Sequence, residues 1–187
     1  TAAGGHGGSG TSTTSTTSTG GMGGAPPSVV FGAASEHPVA CGVASDIAIA
    51  HADGDGQLDV LVAAGCLSLH RGVGDGGLHS AESVTANDFG TALAVGYIDA
   101  DHPETPGADP LDVVGLETDA RIYLGDGKGA FSAVGLVKAN GAGHPGHAAL
   151  APLYGSDALE LVTVAANAVS VWTGDGKAAF VGPHPVD

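Results

Sequence analysis

The sequence predicts an all-β chain: three antiparallel β-sheet repeats, propeller-blade-like, behind a Gly/Thr/Ser-rich arm. Three observations carry that reading. Glycine stands at 33 residues and aromatics at only 4% of the 187-residue chain, a balance that favours short strands and turns over helices. The apolar runs are short, at 47–50 and 60–63 for example, and Gly or Asp bounds them, as is usual for strands. A unit of about fifty residues then recurs along the chain, a period shared by propellers and arrays.

Residues 1–27 stand apart. A Gly-rich start leads into Thr11-Ser12-Thr13-Thr14-Ser15-Thr16-Thr17-Ser18-Thr19 and then a Gly/Pro stretch. With almost nothing apolar to bury, the segment cannot offset its own chain entropy, so a flexible tether is expected. A sharper reading makes it a stalk with O-linked sugars on Thr11, Thr13, Thr14, Thr16, Thr17 and Thr19. No N-x-[ST] sequon exists to support N-glycosylation.

Residues 28–187 hold the repeats, at approximately 29–78, 79–131 and 132–181. In the first, Ile47-Ala48-Ile49-Ala50 precedes the acidic turn Asp53-Gly54-Asp55-Gly56-Gln57-Leu58-Asp59. Val60-Leu61-Val62, Leu67-Ser68-Leu69-His70 and Gly74-Asp75-Gly76 follow. The second runs through Leu93-Ala94-Val95, Asp99 and Asp101, Asp112-Val113-Val114, Arg121-Ile122-Tyr123-Leu124 and Gly125-Asp126-Gly127. The third has Ala149-Leu150-Ala151, Glu160-Leu161-Val162-Thr163-Val164, Val169-Ser170-Val171-Trp172 and Gly174-Asp175-Gly176. Each unit reads strand, acidic turn, strand, short turn, strand, Gly-Asp-Gly turn and a segment leading onward, which makes one antiparallel sheet. Trp172 and Phe180 are expected to pack between sheets.

Closely spaced carboxylates repel unless a cation sits among them, and hard oxygen donors on a tight turn suit Ca²⁺. The loop at 51–59 is not an EF-hand, because Val62 stands where the bidentate Glu is required. A metal-free turn is the competing reading, with Asp side chains accepting nearby backbone N–H groups as Asx turns do. His51 raises a further alternative, a transition metal held with Asp53 and Asp59.

On these residues the chain resembles the FG-GAP/VCBS repeat family, which builds integrin-α-like β-propellers. The resemblance spans roughly residues 30–181. It implies a calcium loop in the first repeat formed by Asp53, Asp55, the Gln57 carbonyl and Asp59. His51 replaces the usual first Asp. In the second repeat it implies Asp99, Asp101 and Asp112, with Tyr97 in the first place and an insertion at 102–108. The third repeat keeps few carboxylates and is expected to hold no ion. With the first ligand lost, affinity is expected in the weak range of extracellular modules, roughly 10⁻⁴–10⁻³ M.

Twenty acidic residues against five basic ones give a formal net charge of −15, a field that repels nucleic acid and anionic membranes. No apolar run is long enough to span a bilayer. The start at Thr1 is expected to reflect processing or a fragment. Cys41 and Cys66 are compatible with one disulfide in an oxidising compartment, or with two buried thiols. The remaining histidines lack ligand spacing, the Gly-Asp-Gly segments lack the Lys-Ser/Thr and helix of a phosphate loop, and no nucleophile elbow is present. No enzyme is expected.

Three sheets are too few to close a propeller. Self-association is therefore expected, either as a homo-oligomer of two copies and six blades or as a filament. The function expected is a secreted, calcium-binding structural or adhesive protein. The alternative is a carbohydrate- or protein-binding module of a cell-surface protein or a larger secreted enzyme, which exposed aromatics near Tyr97, Tyr123 or Tyr154 would favour.

Overall fold

The computed structural model describes residues 33–85, 89–99, 109–138, 146–155, 158–165 and 168–184. The chain divides into two compact units, Thr1–Ser35 and Glu36–Asp187, and every strand lies in the second. The tether and its six threonines, Asp101 and the loop insertion lie outside the described residues.

Twelve strands form three four-stranded antiparallel sheets, each a simple meander in chain order. Sheet 1 holds β1 (Asp46–Ala50), β2 (Asp59–Ala63), β3 (Leu67–His70) and β4 (Glu82–Ser83). Sheet 2 holds β5 (Ala92–Gly96), β6 (Asp112–Leu116), β7 (Ala120–Gly125) and β8 (Phe131–Val137). Sheet 3 holds β9 (His147–Ala151), β10 (Glu160–Ala165), β11 (Ala168–Gly174) and β12 (Phe180–His184). Among the described residues there is no helix. Three sheets form as expected, but the repeat boundaries fall later than 78 and 131: the segment after each Gly-Asp-Gly turn returns as a fourth strand of its own sheet, so β4 belongs to sheet 1 and β8 to sheet 2.

The first strands sit side by side, with β5 packed against both β1 and β9. Leu93 N donates to Asp46 Oδ2 at 2.9 Å across the first of these contacts. Sheet 2 therefore lies between its neighbours and buries both faces, which is why every residue of β6 is buried while β1 alternates. One core joins sheets 1 and 2 through Leu61, Leu67 and Leu69 on one side and Leu93, Val113 and Tyr123 on the other. The second joins sheets 2 and 3 through Val114, Leu116 and Ile122 against Leu161 and Trp172, with Phe180 packed on its margin. Complete burial of a side chain of this size stabilises by about 1.5–3 kcal/mol. Trp172 and Phe180 thus do the inter-sheet packing that the sequence predicts.

The approach to sheet 2 is fixed by Phe89-Gly90. The Phe89 ring stacks obliquely on Tyr123, centroids 5.3 Å apart, and Gly90 turns with φ +99° where a Cβ would strike the Leu116 carbonyl. Before β1 the chain turns instead at Gly42 (φ +61°), where a Cβ would strike the Ala64 carbonyl. No phenylalanine anchors that position. Cys41 is bonded there to the buried Cys66, with Cα atoms 6.1 Å apart. The bridge closes a separation of 25 residues, worth about 3 kcal/mol through restriction of the unfolded chain. Urea unfolding with and without reductant is expected to show a loss of that size on reduction, and a Cys41→Ala/Cys66→Ala variant is expected to match the reduced protein.

Candidate metal centre

The acidic loop of sheet 1 joins β1 to β2 and closes on a buried carboxylate. Asp59, at the head of β2, is fully buried. Its Oδ2 accepts from Ala52 N at 2.8 Å and its Oδ1 from Gly72 N at 2.9 Å. One side chain therefore ties the loop to the turn that ends β3. The pattern repeats in sheet 2, where Asp112 Oδ2 accepts from Ile98 N at 2.7 Å and Oδ1 from Gly125 N at 3.1 Å. Burial pushes the Asp112 carboxyl upward, against the downward pull of those N–H donors. In sheet 3 the longer Glu160 takes the place and accepts from Leu153 N at 2.6 Å. Its second carboxylate oxygen, Oε1, is buried with no hydrogen-bond partner among the described residues.

The turns that follow the third strands are equivalent through Gly72, Gly125 and Gly174. At each a Cβ would fall about 2.1–2.2 Å from the carbonyl oxygen of the residue just before the acid (Leu58, Leu111 or Leu159). That equivalence moves the first Gly-Asp-Gly out of step with the others. Val73, not Asp75, matches Asp126 and Asp175, as the shared bonds from Val73 N to Gly77 O, Asp126 N to Ala130 O and Asp175 N to Ala179 O show. Asp126 and Asp175 close their own turns. Backbone N–H groups of Lys128 and Ala130, and of Ala179 and Lys177, hold the two carboxyls below the ordinary range.

Within the loop itself Asp53 Oδ1 accepts from Asp55 N at 3.1 Å, and Asp55 Oδ1 accepts from Gln57 N at 2.7 Å. These are successive Asx turns. Oxygens of Asp53, Asp55 and Asp59 lie within 4.8 Å of one another. An all-oxygen set suits a hard cation such as Ca²⁺ or Mg²⁺. Each Asp59 oxygen uses one acceptor direction on backbone and keeps another. The carbonyl of Gln57 is already engaged, 2.7 Å from His51 Nδ1. A carbonyl only accepts, so Nδ1 carries the proton in that contact, and neither ring nitrogen of His51 joins the group that the three carboxylates form.

A residue that sequence reasoning passed over completes the centre. Arg71 Nη1 donates to Asp53 Oδ2 at 2.5 Å, and Arg71 Nη2 lies 3.7 Å from Glu82. Burial alone would raise the Asp53 carboxyl, but the Asp55 N–H and the Arg71 guanidinium outweigh it and leave it below the usual carboxylate range. The hydrogen bond that Asp53 accepts in turn raises Arg71 above its ordinary value. The guanidinium thus supplies part of the charge compensation expected of a cation. Its signal in the sequence was rarity, since only five basic residues exist in the whole chain.

In sheet 2, Asp99 and Asp112 are both buried and adjacent, with Asp99 N 3.4 Å from Asp112 Oδ2. They form no group of three with another described carboxylate. Asp101 lies outside the described residues.

Fold and site together define an all-β protein of stacked four-stranded repeats, each closed by a buried acid, one of them carrying a clustered carboxylate loop. No protein-family model, no curated protein and no solved structure matches the chain.

The geometry separates the roles of two carboxylates. In chelator, Asp59→Ala is expected to cost about 3 kcal/mol, because two buried N–H groups lose a charged acceptor. Asp55→Ala, which lies exposed, is expected to cost less than about 1 kcal/mol. Urea denaturation of both variants checks the contrast.

Proposed function

We propose that this chain is a secreted, calcium-supported structural or adhesive protein that self-associates through its blade-like sheets, a member of the FG-GAP/VCBS type of repeat. The observation that carries the calcium part is the convergence of Asp53, Asp55 and Asp59 oxygens within 4.8 Å on a turn whose other contacts are already satisfied. The reading is one of ligation without turnover: a divalent ion shared by the three carboxylates relieves their repulsion and pins the loop. To bind, the ion competes with Arg71 for Asp53, which keeps affinity weak. The disulfide between Cys41 and Cys66 supports an oxidising, extracellular setting. Among the described residues no helix is long and apolar enough to cross a membrane.

Recognition of a carbohydrate or a surface protein is the second reading. Tyr97 and Tyr154 are exposed beside the loops of sheets 2 and 3, which favours it. Tyr123 is buried against Phe89 and contributes nothing to such a surface.

Calcium at ten to a hundred times its dissociation constant is expected to add about 1.4–2.7 kcal/mol, a rise in Tm of roughly 3–10 °C. Asp55→Asn is expected to remove most of that rise while leaving Tm in chelator nearly unchanged. Arg71→Gln is expected to lower Tm in chelator and to enlarge the response to calcium. A Tm indifferent to calcium in the unaltered protein contradicts the reading.

A further inference from the structure

The way the sheets stack inside the chain defines two faces left over at its ends. Counting from the buried acid that heads each second strand, Leu61, Val114 and Val162 are equivalent, as are Val60, Val113 and Leu161. Leu61 points forward into the core with sheet 2, and Val114 points forward into the core with sheet 3. Val113 and Leu161 point backward into the same two cores. One mode of packing, forward face on backward face, is therefore used twice.

The forward face of sheet 3 and the backward face of sheet 1 have no sheet against them among the described residues; on the latter the chain's own His37 and Ala40 lie over His70 and Ser68 of β3, which leaves the β1 side open. On sheet 3, Val164 pairs with Val169 across the strands, and Val181 lies opposite Thr173 on the same face. These valines are 40%, 52% and 66% exposed. On sheet 1, Ile47 and Ile49 pair with Val62 and Val60 and are both 62% exposed. Isolated exposed apolar residues are ordinary, but β-branched residues in paired rows on one sheet face mark a contact surface.

A second repeated contact agrees. The acid loop of sheet 1 rests on the closing turn of sheet 2, where Arg71 Nη2 donates to the Lys128 carbonyl at 3.1 Å. A Cβ at Gly54 would strike the Gly127 carbonyl. The loop of sheet 2 meets the closing turn of sheet 3 in the same way, through the Asp99–Lys177 bridge. The turn of sheet 1, with Gly74, Asp75 and Gly76 exposed, has no such loop on it among the described residues.

We propose that the occupant of both faces is a second copy of this chain, docked head to tail: Val164, Val169 and Val181 of one copy against Ile47 and Ile49 of the next. The proposal deepens the self-association part of the function proposed above and is independent of calcium. The two faces differ, so the contact is heterologous. It closes as a pair of three-sheet halves or continues as a filament. A net charge of −15 opposes the approach of copies, so added salt strengthens the contact.

The test is the solution mass of the full chain by analytical ultracentrifugation from micromolar to submillimolar concentration, in chelator and in calcium, at low and high NaCl. The expected result is a mass above the monomer that grows with concentration and salt and persists in chelator. Loss of the calcium-dependent Tm with association intact would sink the metal reading alone. Ile49→Lys and Val164→Lys, with Val181→Lys as a second variant of the latter face, are each expected to weaken association at least about tenfold with strand circular dichroism retained. Mixing Ile49→Lys with Val164→Lys is expected to restore a one-to-one complex, since one intact face of each kind remains. A wild type that stays monomeric throughout overturns the proposal. So does association abolished by only one of the variants, which means a face paired with itself. Association that neither variant touches overturns it as well, and if removal of residues 1–32 then abolishes it, the arm is the occupant.

Discussion

A carboxylate buried at the start of the second strand ties loop to turn in sheets 1 and 2. Asp59 and Asp112 each accept from the loop that precedes them and from the turn two strands later. Hydrogen bonds to a charged acceptor are worth about 1.5–3 kcal/mol each, and a buried backbone N–H left without one is costly. In sheets 1 and 2 the edge where loops and turns meet is therefore fixed by one side chain each, while in sheet 3 Glu160 holds only the loop, through Leu153 N. That edge also carries the contact from each sheet to the next, through Arg71 and the Lys128 carbonyl in one case and the Asp99–Lys177 bridge in the other. The packing of Leu61 on sheet 2 and of Val114 on sheet 3 follows from the orientation so imposed.

The same arrangement explains how a strongly acidic loop exists without immediate dependence on a bound ion. Asx turns consume Asp53 Oδ1 and Asp55 Oδ1, backbone amides consume part of Asp59, and Arg71 neutralises Asp53. Charge compensation is thus divided between the protein and any cation that joins it. In this account calcium tightens a loop already formed. Under the proposed reading the exposed Asp55 would be its most responsive ligand, whereas Asp59 belongs first to the fold.

Much of this architecture was legible in the sequence. Alternating or continuous apolar runs located nine strands because they are short, most are rich in Val, Ile and Leu, and turns rich in Gly and Asp recur among them. The bridge between Cys41 and Cys66 and the inter-sheet role of Trp172 were readable from residue type. Other features were not. β4 is only Glu82–Ser83, too short and polar to show a period, and its place is set by pairing with Ser68 and Leu69. The first Gly-Asp-Gly looked equivalent to the other two, yet Gly72 is the residue that must lack a Cβ, a constraint visible only once Leu58 is placed beside it. The family resemblance assigns the Gln57 carbonyl a ligand role, but the contact it accepts from His51 Nδ1 could not be read from the pattern. Arg71 joins Asp53 across 18 residues of chain, a distance over which local pattern says nothing.

Native-state hydrogen exchange in chelator, read by NMR at the amides of Ala52, Gly72, Ile98 and Gly125, tests the central claim most directly. These four lie outside or at the ends of strands, yet each donates to a buried carboxylate, so they are expected to exchange as slowly as the core amides of β2 and β6. Exchange at the rate of ordinary loop amides, with protection appearing only when calcium is added, would contradict the claim that the buried acids and not the ion hold the sheets in shape.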